Sequence, residues 1–165
     1  MSTALIVVSG PNAYATVLYK DPPEEVLFNL YIGSLQGAQT HAHEFNVIVN
    51  LSGVDLTNHV PSTVTLEQFN ILDKRLQSAS DRMEYDALFR DIAKTISIHM
   101  ADNKRVLVNC AAGINRSATA ICYYFISTGV KDPIGLVEAA NAKRSVLCLT
   151  NQTFRSLIIN NVDSI

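Results

Sequence analysis

Tryptophan is absent from the chain, and cysteine occurs only three times in 165 residues. The thiols Cys110, Cys122 and Cys148 are odd in number and show no metal-ligand spacing. This argues against a disulfide framework and suits reduced thiols in a cytoplasmic setting. Charged residues are also sparse, at 17%, with a net charge of −2. With a pI near 6.0, no global field draws nucleic acid or an anionic membrane. An anionic substrate must then be captured by local groups, in a pocket rather than on a basic face. Long hydrophobic runs are missing as well. The Ala4–Val8 stretch is too short to cross a bilayer and lacks the basic flank of a secretory signal. Ser2 stands where N-myristoylation needs glycine. His41 and His43 flank Ala42 with no cysteine or carboxylate at ligand spacing, so neither metal nor cofactor is expected. His59 stands alone in a polar loop, and His99 fits a helix C-terminus.

What remains is an ordinary globular composition, 48% hydrophobic, in a chain long enough for one domain with a sizeable core. Residues 1–24 read as an N-terminal arm or edge segment. In them Ser9-Gly10-Pro11-Asn12 forms a turn, and Asp21-Pro22-Pro23-Glu24 leads into a body spanning 25–165. Val47–Leu51 and Val106–Val108 are continuous apolar runs, as expected of strands covered on both faces. Leu66–Leu76 is read as a further strand. Ser34 is placed as a helix N-cap, Asp81 as the cap of the next helix, and Asp132-Pro133 as the opening of another. Tyr85, Leu88, Phe89, Ile92 and Ile96 recur on one helical face. A last helix starts in Thr150–Phe154, and Lys143-Arg144 closes the helix before it. Strands alternating with helices indicate an α/β fold: one domain with a central, mostly parallel twisted sheet of about five strands flanked by helices.

The chemistry concentrates in Cys110-Ala111-Ala112-Gly113-Ile114-Asn115-Arg116-Ser117, a loop between the Val106 strand and a helix that runs to Gly129. A strand that breaks into a helix N-terminus presents inward amides and the positive end of the helix dipole. The same groups that attract phosphate stabilise a thiolate at Cys110. Arg116 offers a planar fork to two phosphoryl oxygens. Ser117 offers a hydroxyl to the sulfur, and Gly113 lets the backbone approach a ligand without a Cβ. Ala111 to Arg116 are the candidate phosphate-binding residues. Together these groups fit attack on a phosphate monoester through a cysteinyl-phosphate intermediate. Cys122 and Cys148 lie in apolar runs and read as packing.

The Cys-x5-Arg-Ser string after an apolar strand resembles the active-site loop of cysteine-dependent dual-specificity protein phosphatases, and most of all the small poxvirus-type, viral branch. Leu30-Tyr-Ile-Gly33, Val47–Leu51 and the Asn151-x-x-Phe154 string are similar to further family elements. The resemblance implies a protein tyrosine phosphatase-like fold and hydrolysis of phosphotyrosine, phosphoserine and phosphothreonine in phosphoproteins. It also implies no metal, and a host-cytoplasmic or virion location. Poxvirus-type relatives form a homodimer through the N-terminal segment, and no residue of 1–24 matches it. The family uses an aspartic acid as general acid in a loop before the catalytic strand. Asp81, 29 positions before Cys110, lies nearest the family spacing and is preferred; Asp73, 37 positions before it, is the alternative, and a site with no acid, which phenolic leaving groups tolerate, is the third reading. The family's usual histidine before the cysteine is replaced by Asn109, which implies a less depressed Cys110 pKa and slower turnover. Two other readings stand beside this one. A pseudophosphatase would bind phosphoproteins without cleaving them, although binding alone needs no nucleophile. An RNA 5′-triphosphatase would favour basic loop residues, and Ala111, Ala112, Ile114 and Asn115 are uncharged.

Overall fold

The computed structural model describes residues 3–7 and 16–164, with side chains from Asp21 onward. The Ser9–Asn12 turn lies outside the described residues. Strand β1 (Thr3–Val7) pairs antiparallel with β2 (Thr16–Lys20), Thr3 opposite Lys20 and Val7 opposite Thr16. This ribbon is separate from the main sheet.

The main sheet has five strands in the order β3 (Glu24–Leu27), β4 (Leu30–Gly33), β7 (Val106–Asn109), β5 (Val47–Asn50) and β6 (Thr65–Gln68). Only β3 runs antiparallel, joined to β4 by a tight turn in which Phe28 and Asn29 both take positive φ, 41° and 67°. The central position of β7 explains its composition. Parallel neighbours flank it on both edges, with Leu30 and Val47 both level with Val106. Layers cover its two faces. Val106 and Val108 face the larger core, beneath α2 (Ala79–Ala101), α3 (Arg116–Ser127) and α5 (Gln152–Asp163). Leu107 faces a smaller core under α1 (Leu35–His41) with Ala38, Phe45 and Ile48. All four β7 residues are buried, so the apolar run is unbroken. In the larger core the rings of Phe89 and Phe154 meet edge-on at 5.2 Å, tying α2 to α5.

The helix starts follow from capping. Ser34 accepts from the Gly37 amide, Asp132 from Gly135 ahead of α4 (Pro133–Lys143), and Asn151 from Phe154. Two expectations need correction. Asp81 does not cap α2. Ser78 does, accepting from the Asp81 amide at 3.0 Å, and Asp81 sits in the first turn, where an acid suits the dipole. Leu66–Leu76 is not one strand. Register pairing stops at Gln68, level with the end of β5 at Asn50; the Phe69 amide still donates to Asn50 O at 3.1 Å, and beyond it backbone groups turn to side chains. The Ile71 carbonyl accepts from Arg116 and the Leu76 amide donates to Thr153 Oγ1 at 3.0 Å, so no ladder forms. The histidines take side-chain partners, His41 with Glu44 and His99 with Glu67. Among the described residues no helix is long and apolar enough to cross a membrane.

Candidate active site

The loop Cys110–Asn115 leaves the carboxyl end of β7 and turns into α3, which begins at Arg116. Its shape is set by where its carbonyls go. Ala111 O accepts from the Leu35 amide at 3.1 Å, and Ile114 O from the Leu149 amide at 2.9 Å. Ala112 O accepts from Arg144 Nη2 at 3.0 Å. Gly113 O accepts from Arg144 Nη1 at 2.9 Å and Asn141 Nδ2 at 2.8 Å. Asn115 O accepts from the amide and hydroxyl of Thr119. A trans peptide aims its N–H opposite to its C=O. Five successive carbonyls drawn outward therefore turn the following amides into the bowl, and these form an anion nest.

Gly113 meets a steric demand beyond the one expected from the sequence. Its φ is +70°, and a Cβ would meet Arg144 Nη1 at 2.5 Å and Gly33 O at 2.7 Å. The crowding lies behind the loop, not on the ligand side. Gly113→Ala should cost at least about 1–2 kcal/mol from backbone strain alone and collapse activity by reshaping the nest. A denaturant midpoint and a turnover assay on the variant check this, and wild-type values in both would contradict it.

Cys110 starts the bowl with 3% of its surface exposed. Its Sγ lies 3.3 Å from Ser117 Oγ and accepts from the Gly113 amide at 3.2 Å. Burial opposes the thiolate, but the Ser117 hydroxyl and amide, the Arg116 charge and the Gly113 amide outweigh it and hold the pKa below the ordinary thiol value. The other thiols go the opposite way. Burial raises Cys122 well above that value, and Cys148 is pushed up to about 11, also by burial first. Of the three thiols, Cys110 alone is shifted toward the thiolate.

Arg116 is anchored through one nitrogen. Nη1 donates to Leu51 O at 3.0 Å, Ile71 O at 3.1 Å and Ser52 O at 3.3 Å. Its Nε is buried with no partner. A buried donor without an acceptor is costly in a finished fold. A phosphoryl oxygen would satisfy it, in keeping with the fork geometry of a guanidinium.

Asn109 belongs to a row of amides across the carboxyl ends of three strands, where Asn50 is level with both Asn109 and Gln68. Asn109 Nδ2 donates to Asn50 Oδ1 at 3.1 Å, and Asn50 Nδ2 to Gln68 Oε1 at 2.9 Å. Asn50 Oδ1 also accepts from the Ser52 amide and hydroxyl, shaping the turn whose carbonyls hold Arg116. Sequence reading missed Asn50, whose only signal is its register beside Asn109. Asparagine does not titrate. The rate of Cys110 alkylation against pH should therefore follow one ionisation, and Asn109→His should add a second. A biphasic wild-type curve would contradict this.

The structure separates the two candidate acids. Asp73 Oδ2 accepts from Asn115 Nδ2 at 2.8 Å, and its Oδ1 from Asn151 Nδ2 at 2.9 Å. Asn115 in turn is held by Thr150, so Asp73 is clamped beside the residue that precedes Arg116. With Lys74, Arg75 and Arg82 it lines a cavity of about 760 Å³ that reaches Asn115. Asp81 is on α2, and its nearest cation is Lys74, at 3.9 Å. Of the two, Asp73 is the one whose carboxylate touches a residue of the Cys110 loop. Arg144 was also missed. It closes α4 as the sequence reading has it, yet its side chain is 0% exposed and grips the loop. No local pattern marks it.

The comparisons with known proteins agree with this geometry. Residues 30–161 match the family model "Dual specificity phosphatase, catalytic domain". Protein 123R of Invertebrate iridescent virus 6, which carries a tyrosine phosphatase name, is 26% identical over 129 residues, covering 76% of this chain and 82% of that one. Among solved structures, human DUSP28 superposes with a TM-score of 0.71 at 17% identity, covering 87% of this chain and 94% of its own. OH1 of the Orf virus, described as a tyrosine phosphatase with triple substrate specificity, gives 0.66 at 18% identity, over 84% and 85%. The family match spans most of the chain and contains the whole Cys110 loop, so this protein belongs to the dual-specificity protein phosphatases and is similar to viral members of that family.

Proposed function

We propose that the protein hydrolyses phosphotyrosine, phosphoserine and phosphothreonine in proteins through a cysteinyl-phosphate intermediate. The observation that carries this reading is the contrast among the thiols: only Cys110 is held below its ordinary pKa, inside a ring of inward amides and beside an unsatisfied Arg116 Nε. In the first step Cys110 Sγ attacks phosphorus. The S–P bond forms as the P–O bond to the side chain breaks, and Asp73 gives its proton to the leaving oxygen. The loop amides and Arg116 hold the three remaining oxygens. In the second step Asp73 takes a proton from water as the water oxygen attacks phosphorus. The S–P bond breaks, inorganic phosphate leaves, and the Ser117 hydroxyl and Gly113 amide receive the thiolate. Asp73 is assigned the acid because it is clamped to Asn115, whereas Asp81 is held on a helix. A thiolate nucleophile also favours a reducing compartment, the cytoplasm.

Ala111 and Ala112 are exposed and small, so side chains of different length can reach the sulfur. Peptides of one sequence carrying phosphotyrosine, phosphothreonine or phosphoserine test the breadth. All three should release phosphate, and release from phosphotyrosine alone would reduce the reading to a tyrosine phosphatase.

A further inference from the structure

The Arg144 guanidinium carries five N–H donors, and each has an acceptor. Nη1 donates to Gly113 O and Asn141 Oδ1, both at 2.9 Å. Nη2 donates to Ala112 O at 3.0 Å and Asp21 Oδ2 at 2.9 Å, and Nε to Asp21 Oδ1 at 3.3 Å. Asp21 is the only carboxylate on this cation among the described residues. A charge this buried is not tolerated without a counterion, so the place of the guanidinium depends on Asp21.

The consequence reaches the sulfur in two links. Ala112 O and the Gly113 amide belong to one planar trans peptide and point opposite ways. Arg144 holds the oxygen outward, and the amide donates to Cys110 Sγ at 3.2 Å. Asp21 itself is seated by packing: a Cβ on Gly37 of α1 would meet its carbonyl oxygen at 2.6 Å. Lys143, beside Arg144, reaches Glu24 at 4.0 Å, a second tie from the end of α4 to this segment. Asp21 lies ahead of the region that matches the family model, which begins at residue 30.

We propose that Asp21 is a positioning residue for the reaction, acting through Arg144 on the peptide that faces Cys110, so that the segment preceding the family domain is part of the active-site scaffold. The proposal rests on the reading of Cys110 as nucleophile.

The test uses the full chain with Asp21→Asn, Asp21→Glu and, as a surface ion-pair control, Glu138→Gln, which removes the partner of Arg155. Three quantities are read: turnover of an aryl phosphate, inhibition by orthovanadate, and the pH midpoint of Cys110 alkylation. Asp21→Asn should lower kcat/KM by roughly tenfold, equivalent to about 1.4 kcal/mol. It should also weaken orthovanadate inhibition and raise the alkylation midpoint, with Asp21→Glu falling between it and wild type. Glu138→Gln should match wild type. A folded Asp21→Asn protein with a lower melting temperature but wild-type midpoint and turnover would overturn the proposal, leaving Asp21 a stabilising ion pair. If Asp21→Asn does not fold, wild-type midpoint and turnover in Asp21→Glu would overturn it equally. A wild-type midpoint near ~8.5 would overturn the nucleophile reading and the proposal with it, whereas a depressed midpoint unmoved by Asp21→Asn overturns the proposal alone.

Discussion

Cys110→Ser should abolish turnover of aryl phosphates, with kcat falling by about four to six orders of magnitude, the range seen when a covalent nucleophile is removed. The size of the effect follows from the site. The anion nest is built to hold a charge at the position of Sγ, supplied by a thiol whose pKa is depressed by Ser117, Arg116 and Gly113 against the cost of burial. A serine hydroxyl has no comparable fraction ionised near neutrality, and among the described residues only the Ser117 hydroxyl and the Gly113 amide bond at this position. The bowl itself does not depend on the sulfur. Its carbonyls are held from outside by Leu35, Arg144, Asn141, Leu149 and Thr119. The variant should therefore fold and retain bound phosphopeptide without cleaving it. Cys122→Ser and Cys148→Ser, which remove thiols whose pKa values are raised, should stay within about threefold of wild-type turnover, since they leave the reacting group untouched. Residual, phosphopeptide-specific turnover in Cys110→Ser near the wild-type rate would mean that the chemistry runs elsewhere.

The second large effect distinguishes the two acids. Asp73→Asn should lower kcat toward phosphothreonine peptides by about 10²–10⁴, the usual contribution of a general acid. The loss should be far smaller with an activated aryl phosphate, whose leaving oxygen departs without a proton. Asparagine keeps one acceptor oxygen, enough for Asn115 or Asn151 but not both, so half of the clamp goes with the proton, and the dependence on leaving group is what isolates the proton's share. Asp81→Asn gives up only the 3.9 Å contact to Lys74 and a favourable place in the first turn of α2. A pair this loose and exposed contributes at most about 1 kcal/mol to stability, and turnover should be unchanged. A leaving-group-dependent loss in Asp81→Asn, with Asp73→Asn intact, would reverse the assignment.

The sequence favoured Asp81 and the contacts favour Asp73, and the difference has a physical origin. The strands at Val47 and Val106 were legible because burial on both faces demands apolar residues at every position, and nothing in a loop imitates that. The caps at Ser34 and Asp132 were legible because a side-chain oxygen three residues before an amide is a local arrangement. The segment after Gln68 has neither kind of signal. Its conformation is imposed by partners distant in sequence, Arg116 on Ile71 and Thr153 on Leu76, 45 and 77 residues away. Counting along such a segment does not show that Asp73 meets Asn115 and Asn151. Arg144 was unreadable on the same grounds: its partners are Asp21, 123 residues earlier, and two loop carbonyls. The loop from Cys110 to Ser117 could be read because one contiguous string holds the nucleophile, its amides and its cation.

The most direct measurement is acid-quenched intact and peptide mass spectrometry of the enzyme during turnover of a phosphotyrosine peptide. A phosphoryl adduct should accumulate transiently on the peptide that contains Cys110 and be absent from Cys110→Ser. Steady phosphate release with no adduct, or with the adduct on another residue, would contradict covalent catalysis by this cysteine.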